Sequence, residues 1–122
     1  MALPKIFKPY KSKNLIRLGH NKDGGYIINR EILEKSSTLL TFGLCDEFSF
    51  EKDFLKNNDK KFEDAFDHTA NFSFWVQNLI RWTLNFLKYR KNFKRIFTFF
   101  DYYNFFKKKN AKHFKVRVKS SK

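Results

Sequence analysis

Cysteine, glycine and proline are scarce in this sequence of 122 residues, which contains one, four and two of them respectively. The single cysteine, Cys45, excludes a disulfide within the chain and a zinc site built from several cysteines. No run of about 18 apolar residues occurs, so no segment is expected to span a bilayer. The first residues lack the apolar core of a signal peptide, and we therefore expect a cytoplasmic protein.

Acidic residues are almost absent from the last third of the chain. Residues 81–122 contain 14 Lys or Arg and a single acid, Asp101, whereas residues 1–80 contain 12 Lys or Arg and 11 Asp or Glu. The formal net charge of +14 therefore lies almost wholly in the rear part. This asymmetry indicates either an anionic partner for residues 81–122, such as nucleic acid or an anionic membrane surface, or a lysine-rich surface that contacts only water.

The sequence has enough apolar residues for one core, with 42% hydrophobic residues and 20% aromatic residues. A chain of this length makes one domain. We expect an extended lead-in over residues 1–14, a hairpin and a β–α–β unit over 15–70, and a basic, aromatic helical arm with a terminal strand over 71–122. The predicted fold class is α/β.

Two short β-prone runs, Leu15–Leu18 and Tyr26–Ile28, flank a glycine-containing loop and predict a β-hairpin. Asn29 is a suitable N-cap for a short helix over Arg30–Lys35. The Thr38–Phe42 run is apolar on both faces, so we expect a central strand that is covered on both sides.

A strand, a glycine turn, a helix and a second strand follow one another from Thr38 to Asp67. Gly43 ends the first strand, and a helix capped by Asp46 or Ser49 is expected to run to about Lys56. Its apolar face comprises Phe50, Phe54 and Leu55, and its predicted solvent face comprises Glu51, Lys52 and Asp53. Asn57–Asp59 should end this helix, and Phe62–Phe66 should form a parallel strand beside Thr38–Phe42.

This order of elements is how α/β folds commonly hold a nucleotide-type ligand. Gly43 allows the backbone to approach the ligand closely, and Asp67 lies where an acid accepts hydrogen bonds from ribose hydroxyls. Asp46 either caps the helix or meets a water molecule near the ligand. The competing interpretation is structural, with Gly43 as an ordinary loop glycine and Asp67 as an acid in a turn.

Several short motifs occur in one order along residues 15–70. They are Arg17-Leu18-Gly19, Asp23-Gly24-Gly25-Tyr26, Thr41-Phe42-Gly43, Phe48-Ser49-Phe50-Glu51 and Phe66-Asp67-His68-Thr69. Together they resemble the amino-terminal part of FkbM-like S-adenosylmethionine-dependent methyltransferases. The resemblance implies an incomplete Rossmann-like unit of the class I methyltransferase type. It also implies S-adenosylmethionine as cofactor, contacts to it from Gly43, Asp46 and Asp67, and a small-molecule or sugar acceptor.

From Asn71 onward the apolar spacing changes to three and four residues, which predicts a helix to about Arg90 and a second helix to about Phe106. The two helices form a predicted basic hairpin joined near Lys91-Asn92. The apolar stripe of the first helix runs from Phe72 to Leu87. That of the second comprises Phe93, Ile96, Phe97, Phe100 and Tyr103 or Asn104. An alternating run over His113–Val118 predicts a last strand.

The aromatic residues of these helices have two functional interpretations, base stacking beside phosphate-binding lysines and insertion into an anionic membrane surface. Aromatics at helical spacing more often form the core, and we therefore expect a buried stripe and solvated lysines.

No metal-binding or hydrolase constellation is evident, because His20, His68 and His113 are far apart and Cys45 has no basic partner in the sequence. No catalytic residue is identified.

A complete methyltransferase sheet has about seven strands and needs some 200 residues or more. We therefore expect a truncated or partial methyltransferase that is inactive alone. The alternative is a non-enzymatic basic module that binds nucleic acid or an anionic membrane surface.

Overall fold

A computed structural model of the protein describes residue 4 and residues 11–21, 23–56, 60–89 and 93–119. It is a mixed α/β structure with two sheets. The five strands are β1 (Leu15–Leu18), β2 (Tyr26–Asn29), β3 (Thr38–Phe42), β4 (Phe62–Phe66) and β5 (Ala111–Phe114). The four helices are α1 (Arg30–Lys35), α2 (Ser49–Leu55), α3 (Phe72–Tyr89) and α4 (Phe93–Phe106).

Three predicted features lie outside the described residues. They are the lead-in, apart from residues 4 and 11–14, the helix-ending Asn57–Asp59, and the Lys91-Asn92 connection.

The β-hairpin of β1 and β2 is confirmed, with Leu15 opposite Asn29 and Leu18 opposite Tyr26 in an antiparallel register. The Asn29 side chain accepts a hydrogen bond from the Glu31 N–H at 2.8 Å and so caps α1, as predicted.

The second sheet is parallel and has the strand order β3–β4–β5. Thr38 pairs with Phe62 and Phe42 pairs with Phe66, so the two predicted strands are neighbours with their carboxyl ends together. The third strand begins and ends earlier than predicted, because β5 covers Ala111–Phe114 and residues 115–118 lie beyond it.

The helices cover one face of this sheet. Ala65 and Ala111 on that face belong to the core, together with Trp75 and Trp82 of α3 and Tyr102 of α4. These small side chains allow the large rings to approach the strands closely.

The opposite face is open within the described part of the chain, which corrects the prediction that Thr38–Phe42 is covered on both sides. Leu40 and Phe42 are 56% and 62% exposed. The rings of Phe42, Phe66 and Phe114 stack across the three strands, with centroids 5.5 and 5.0 Å apart. Both crossover connections place their helices on the face of Ala65 and Ala111. The apolar strand β3 is therefore covered on that face and exposed on the face of Leu40 and Phe42.

The predicted inner face is wrong for α4, whereas for α3 it is confirmed except at its two ends. In α4 the buried residues are Tyr102 and Phe105, whereas Phe93, Phe97 and Phe100 are exposed. In α3 the buried residues are Trp75, Asn78 and Trp82, and Phe72 and Leu87 at the ends of the predicted stripe are exposed. No helix among the described residues is long and apolar enough to cross a bilayer.

Candidate functional site

The turn after β3 and the end of β4 form the candidate site. The Gly43 N–H donates to the Phe66 carbonyl at 3.1 Å, and the Cys45 N–H donates to Asp67 Oδ2 at 2.8 Å. The parallel register brings Gly43 and Asp67 to the same edge of the sheet, as the order of elements predicted.

Gly43 adopts φ +80°, a left-handed conformation that glycine adopts without the strain caused by a side chain. A Cβ built at this position would meet no atom within 4 Å. The backbone at Gly43 therefore borders open space, as close approach of a ligand requires.

Asp67 is 5% exposed, and its carboxylate is occupied by the protein itself. Besides the Cys45 N–H, it accepts from the Thr69 N–H at 2.7 Å and the Thr69 hydroxyl at 2.6 Å, both at Oδ1. Burial raises the pKa of this carboxyl, but the hydrogen bonds from Cys45, Thr69 and Ala70 outweigh it and leave the pKa below its usual value. Asp67 thus holds the turn that follows Gly43, which is the structural role weighed for it from the sequence.

A cleft of about 430 Å³ lies along β3 between the hairpin loop and α2. Four carboxylates contribute to its wall, those of Asp23, Asp46, Glu47 and Glu51. Such a concentration of negative charge favours a cationic group in the cleft.

Glu51 was predicted to face water, but it is buried and points towards β3. Its Oε1 accepts a hydrogen bond from the Thr41 hydroxyl at 3.0 Å. Burial raises the pKa of this carboxyl. Glu51 belongs to the Phe48-Ser49-Phe50-Glu51 motif, which was the sequence signal that could have identified it. Helical spacing alone placed this residue on the solvent-facing side of α2.

A second cleft, of about 320 Å³, lies across the carboxyl ends of the three parallel strands. Phe42 and Gly43 belong to both clefts. The remaining lining comes from the Phe66–Thr69 segment and from Val116, Arg117 and Val118 after β5. Gly43 therefore stands between an acidic cleft and a more apolar one.

The hairpin loop closes one side of the acidic cleft by docking on the start of α2. The Gly19 N–H donates to Asp53 Oδ2 at 2.8 Å, and the Ser49 hydroxyl donates to the Gly24 carbonyl at 3.3 Å. A Cβ at Gly25 would lie 1.9 Å from the His20 carbonyl oxygen, so no other residue fits there without moving the backbone. This contact explains physically why the Asp23-Gly24-Gly25 motif accompanies the turn.

The N-cap of α2 is Phe48, so neither Asp46 nor Ser49 has the predicted capping role, and the Glu47 side chain binds the first N–H of the helix. Its Oε1 accepts from the Ser49 N–H at 2.9 Å, and its Oε2 lies 3.1 Å from His20 Nδ1. Asp46 is left at the cleft wall. Sequence reasoning missed Glu47 and the solvent-assigned Asp53 because their partners lie in the hairpin, far away in sequence.

His113 connects β5, α4 and the site. Its Nε2 donates to the Asp67 carbonyl at 2.9 Å, and its Nδ1 accepts from the Tyr102 hydroxyl. Burial lowers the pKa of His113 and raises that of Tyr102 to about 12, so both side chains are neutral around pH 7.

Cys45 is an unsuitable nucleophile, because partial desolvation and the charges of Asp46 and Asp67 raise the pKa of its thiol. No cluster of three or more metal-ligating side chains occurs within the described ranges.

Comparisons of the chain with family models, with curated proteins and with solved structures find no match.

Proposed function

We propose that this chain is the cofactor-side part of an FkbM-like S-adenosylmethionine-dependent methyltransferase. In this proposal β3, α2, β4 and β5 form an incomplete Rossmann-like unit. The observation that carries it is the parallel pairing of Phe42 with Phe66, which sets the Gly43 turn beside the end of β4 and between two clefts. Ligands of open parallel sheets bind at this edge.

The two clefts differ in the chemistry that they offer to the cofactor. S-adenosylmethionine carries a sulfonium and an ammonium group, which suit the acidic cleft at Asp46 and Glu47. Its adenosine group suits the cleft at the carboxyl ends of β4 and β5, where Phe42 and Phe66 offer apolar surface. Gly43 allows the ligand to cross from one cleft to the other.

Asp67 takes part mainly by holding the turn. In the conformation described here its oxygens accept bonds from Cys45 and Thr69, so a ribose hydroxyl would have to share Oδ1 or Oδ2 with them. A small-molecule or sugar acceptor is proposed from the family resemblance. We expect no turnover by this chain alone and weak cofactor binding, because a three-stranded parallel sheet encloses little of the ligand.

The test is a titration of ¹⁵N-labelled protein with S-adenosylmethionine, followed by amide chemical shifts, which detect weak binding. We expect the largest shifts at Gly43, Cys45 and Asp46. Gly43→Val should abolish them by filling the open space, and Asp46→Asn should weaken binding by removing a negative charge.

Thr38→Val, at the opposite end of β3, is the matched control and should bind like the original chain. Chemical-shift changes confined to α3 and α4, or changes that Gly43→Val leaves unaltered, would show that the ligand does not bind at Gly43. Stronger binding of adenosine triphosphate than of S-adenosylmethionine would contradict the proposed cofactor.

A further inference from the structure

Helix α4 carries large apolar side chains on two opposite faces. Phe93, Phe97 and Phe100 follow each other at spacings of four and three residues and therefore share one face. Tyr102 and Phe105 lie about 200° and 140° around the helix from Phe100 and are buried in the core. The outward rings of Phe97 and Phe100 are 50% and 53% exposed.

Helix α3 repeats this arrangement with aliphatic residues. Ile80, Leu84 and Leu87 share one face and are exposed. Ile80 is about 140° around the helix from the buried Trp75, and Leu84 is about 200° from the buried Trp82. Each of the two helices thus packs one apolar face into the core and leaves a second apolar stripe exposed.

The stripe of α4 starts where the helices meet. The ring of Phe93 lies 5.0 Å from that of Phe86 on α3 and 5.2 Å from that of Phe97, measured between centroids. We call the exposed residues Ile80, Leu84, Leu87, Phe93, Phe97 and Phe100 the outer stripes.

Basic side chains accompany the outer stripes. Arg81 and Lys88 on α3 are each within about 60° of Leu84 around the helix, and Lys94 on α4 is about 60° from Phe97. The single acid of residues 81–122, Asp101, forms an ion pair with Lys52 at 3.4 Å. The surroundings of the stripes therefore attract anions.

We propose that the outer stripes bind the protein to an anionic lipid bilayer surface. Apolar side chains enter the boundary between headgroups and acyl chains, and neighbouring Lys and Arg bind the anionic headgroups. Nucleic acid suits the surface less well, because Ile80, Leu84 and Leu87 have no π-face on which a base stacks. A second copy is disfavoured, because pairing through the stripes brings two strongly basic regions together.

The test is sedimentation with vesicles of phosphatidylcholine alone or with about one third phosphatidylglycerol. We expect binding that needs the anionic lipid and weakens with salt. Phe97→Ser/Phe100→Ser should lower the partition coefficient about tenfold or more, because two exposed rings lose their burial in lipid. Leu84→Ser/Leu87→Ser on α3 should lower the partition coefficient to a similar extent. This second variant tests the proposal independently if the first one does not fold.

The matched control is Ile27→Thr/Ile32→Thr, which removes similarly exposed apolar residues from β2 and α1, away from both clefts and from the open sheet face, and should leave vesicle binding unchanged. Circular dichroism establishes that each variant is folded. Equal binding to neutral vesicles, binding that folded stripe variants retain, or an equal loss in the control would overturn the proposal. So would tighter binding of single-stranded DNA than of anionic vesicles, or self-association that the stripe variants abolish.

Discussion

Two buried carboxylates, Asp67 and Glu63, have opposite environments at the residue scale. Asp67 accepts several hydrogen bonds, as described above. Glu63 on β4 is 1% exposed, and neither of its oxygens has a hydrogen-bond partner among the described residues. Burial, with added repulsion from Glu51 and Asp64, raises the pKa of Glu63 to about 8. Asp67 is therefore charged at neutral pH, whereas Glu63 is mostly protonated.

We expect Asp67→Asn to lower the free energy of unfolding by about 1–3 kcal/mol at pH 7, because the amide offers one acceptor oxygen to donors that now use two. The folded pKa of Asp67 is lowered, so its contribution is present above the unfolded pKa and is lost as the pH falls through the folded pKa. Urea unfolding should accordingly show a difference between variant and original chain that shrinks in acid. A difference independent of pH would contradict this account.

Glu63 should make stability fall as the pH rises. In the folded state the pKa of this carboxyl is about 8, whereas in the unfolded chain it ionises near its ordinary pKa of 4.5. Between these values its contribution is lost at up to about 1.4 kcal/mol per pH unit. Glu63→Gln should remove this slope and be more stable than the original chain at pH 8, as measured by urea unfolding across that range. Asp64→Asn, on the open face, should keep most of the slope.

At the scale of elements, α3 and α4 combine a conventional inner face with an apolar outer face. The composition of a helix that is apolar nearly all round indicates burial on all sides. In the described part of the chain only the inner face is covered, by β4, β5 and the partner helix. The two faces of α4 should therefore respond differently to substitution.

Phe105→Ala should lower the free energy of unfolding by about 3–5 kcal/mol, because a ring that is 3% exposed leaves a cavity. Phe100→Ala should change it by less than about 1 kcal/mol, because the ring is half exposed. Urea unfolding of both variants, followed by helix circular dichroism, measures the contrast. Equal losses would mean that both faces are buried in solution.

At the scale of the whole molecule, two different apolar surfaces are exposed, one on the parallel sheet and one on α3 and α4. The open sheet face carries Leu40, Phe42 and Phe114, and it lies beside the unpaired edge of β3 within the described residues. No charged residue lies in β3 to discourage pairing with another strand. The outer stripes lie on α3 and α4, where the positive charge of the surrounding residues repels a second copy of the chain.

We therefore expect self-association through the sheet face. Leu40→Thr/Phe42→Thr should reduce the oligomer fraction in sedimentation velocity, because threonine keeps β-propensity while removing apolar area. Phe97→Ser/Phe100→Ser should leave that fraction unchanged. The reverse pattern would place the association surface on the helices.

The sequence by itself determined the order and nearly all the bounds of the elements, because strand, glycine-turn and helical spacings are local properties. It also predicted the meeting of Gly43 with Asp67, since parallel strands joined by a crossover share one carboxyl edge. Only the tertiary structure decided which faces are covered. Glu51 was predicted to face water and is buried, whereas Phe97 and Phe100 were predicted to lie in the core and are exposed. The reason is that periodicity identifies an apolar face of a helix but does not show which other element packs against that face. The partners of Asp67, Glu47 and Asp53 were likewise decided by contacts between segments distant in sequence.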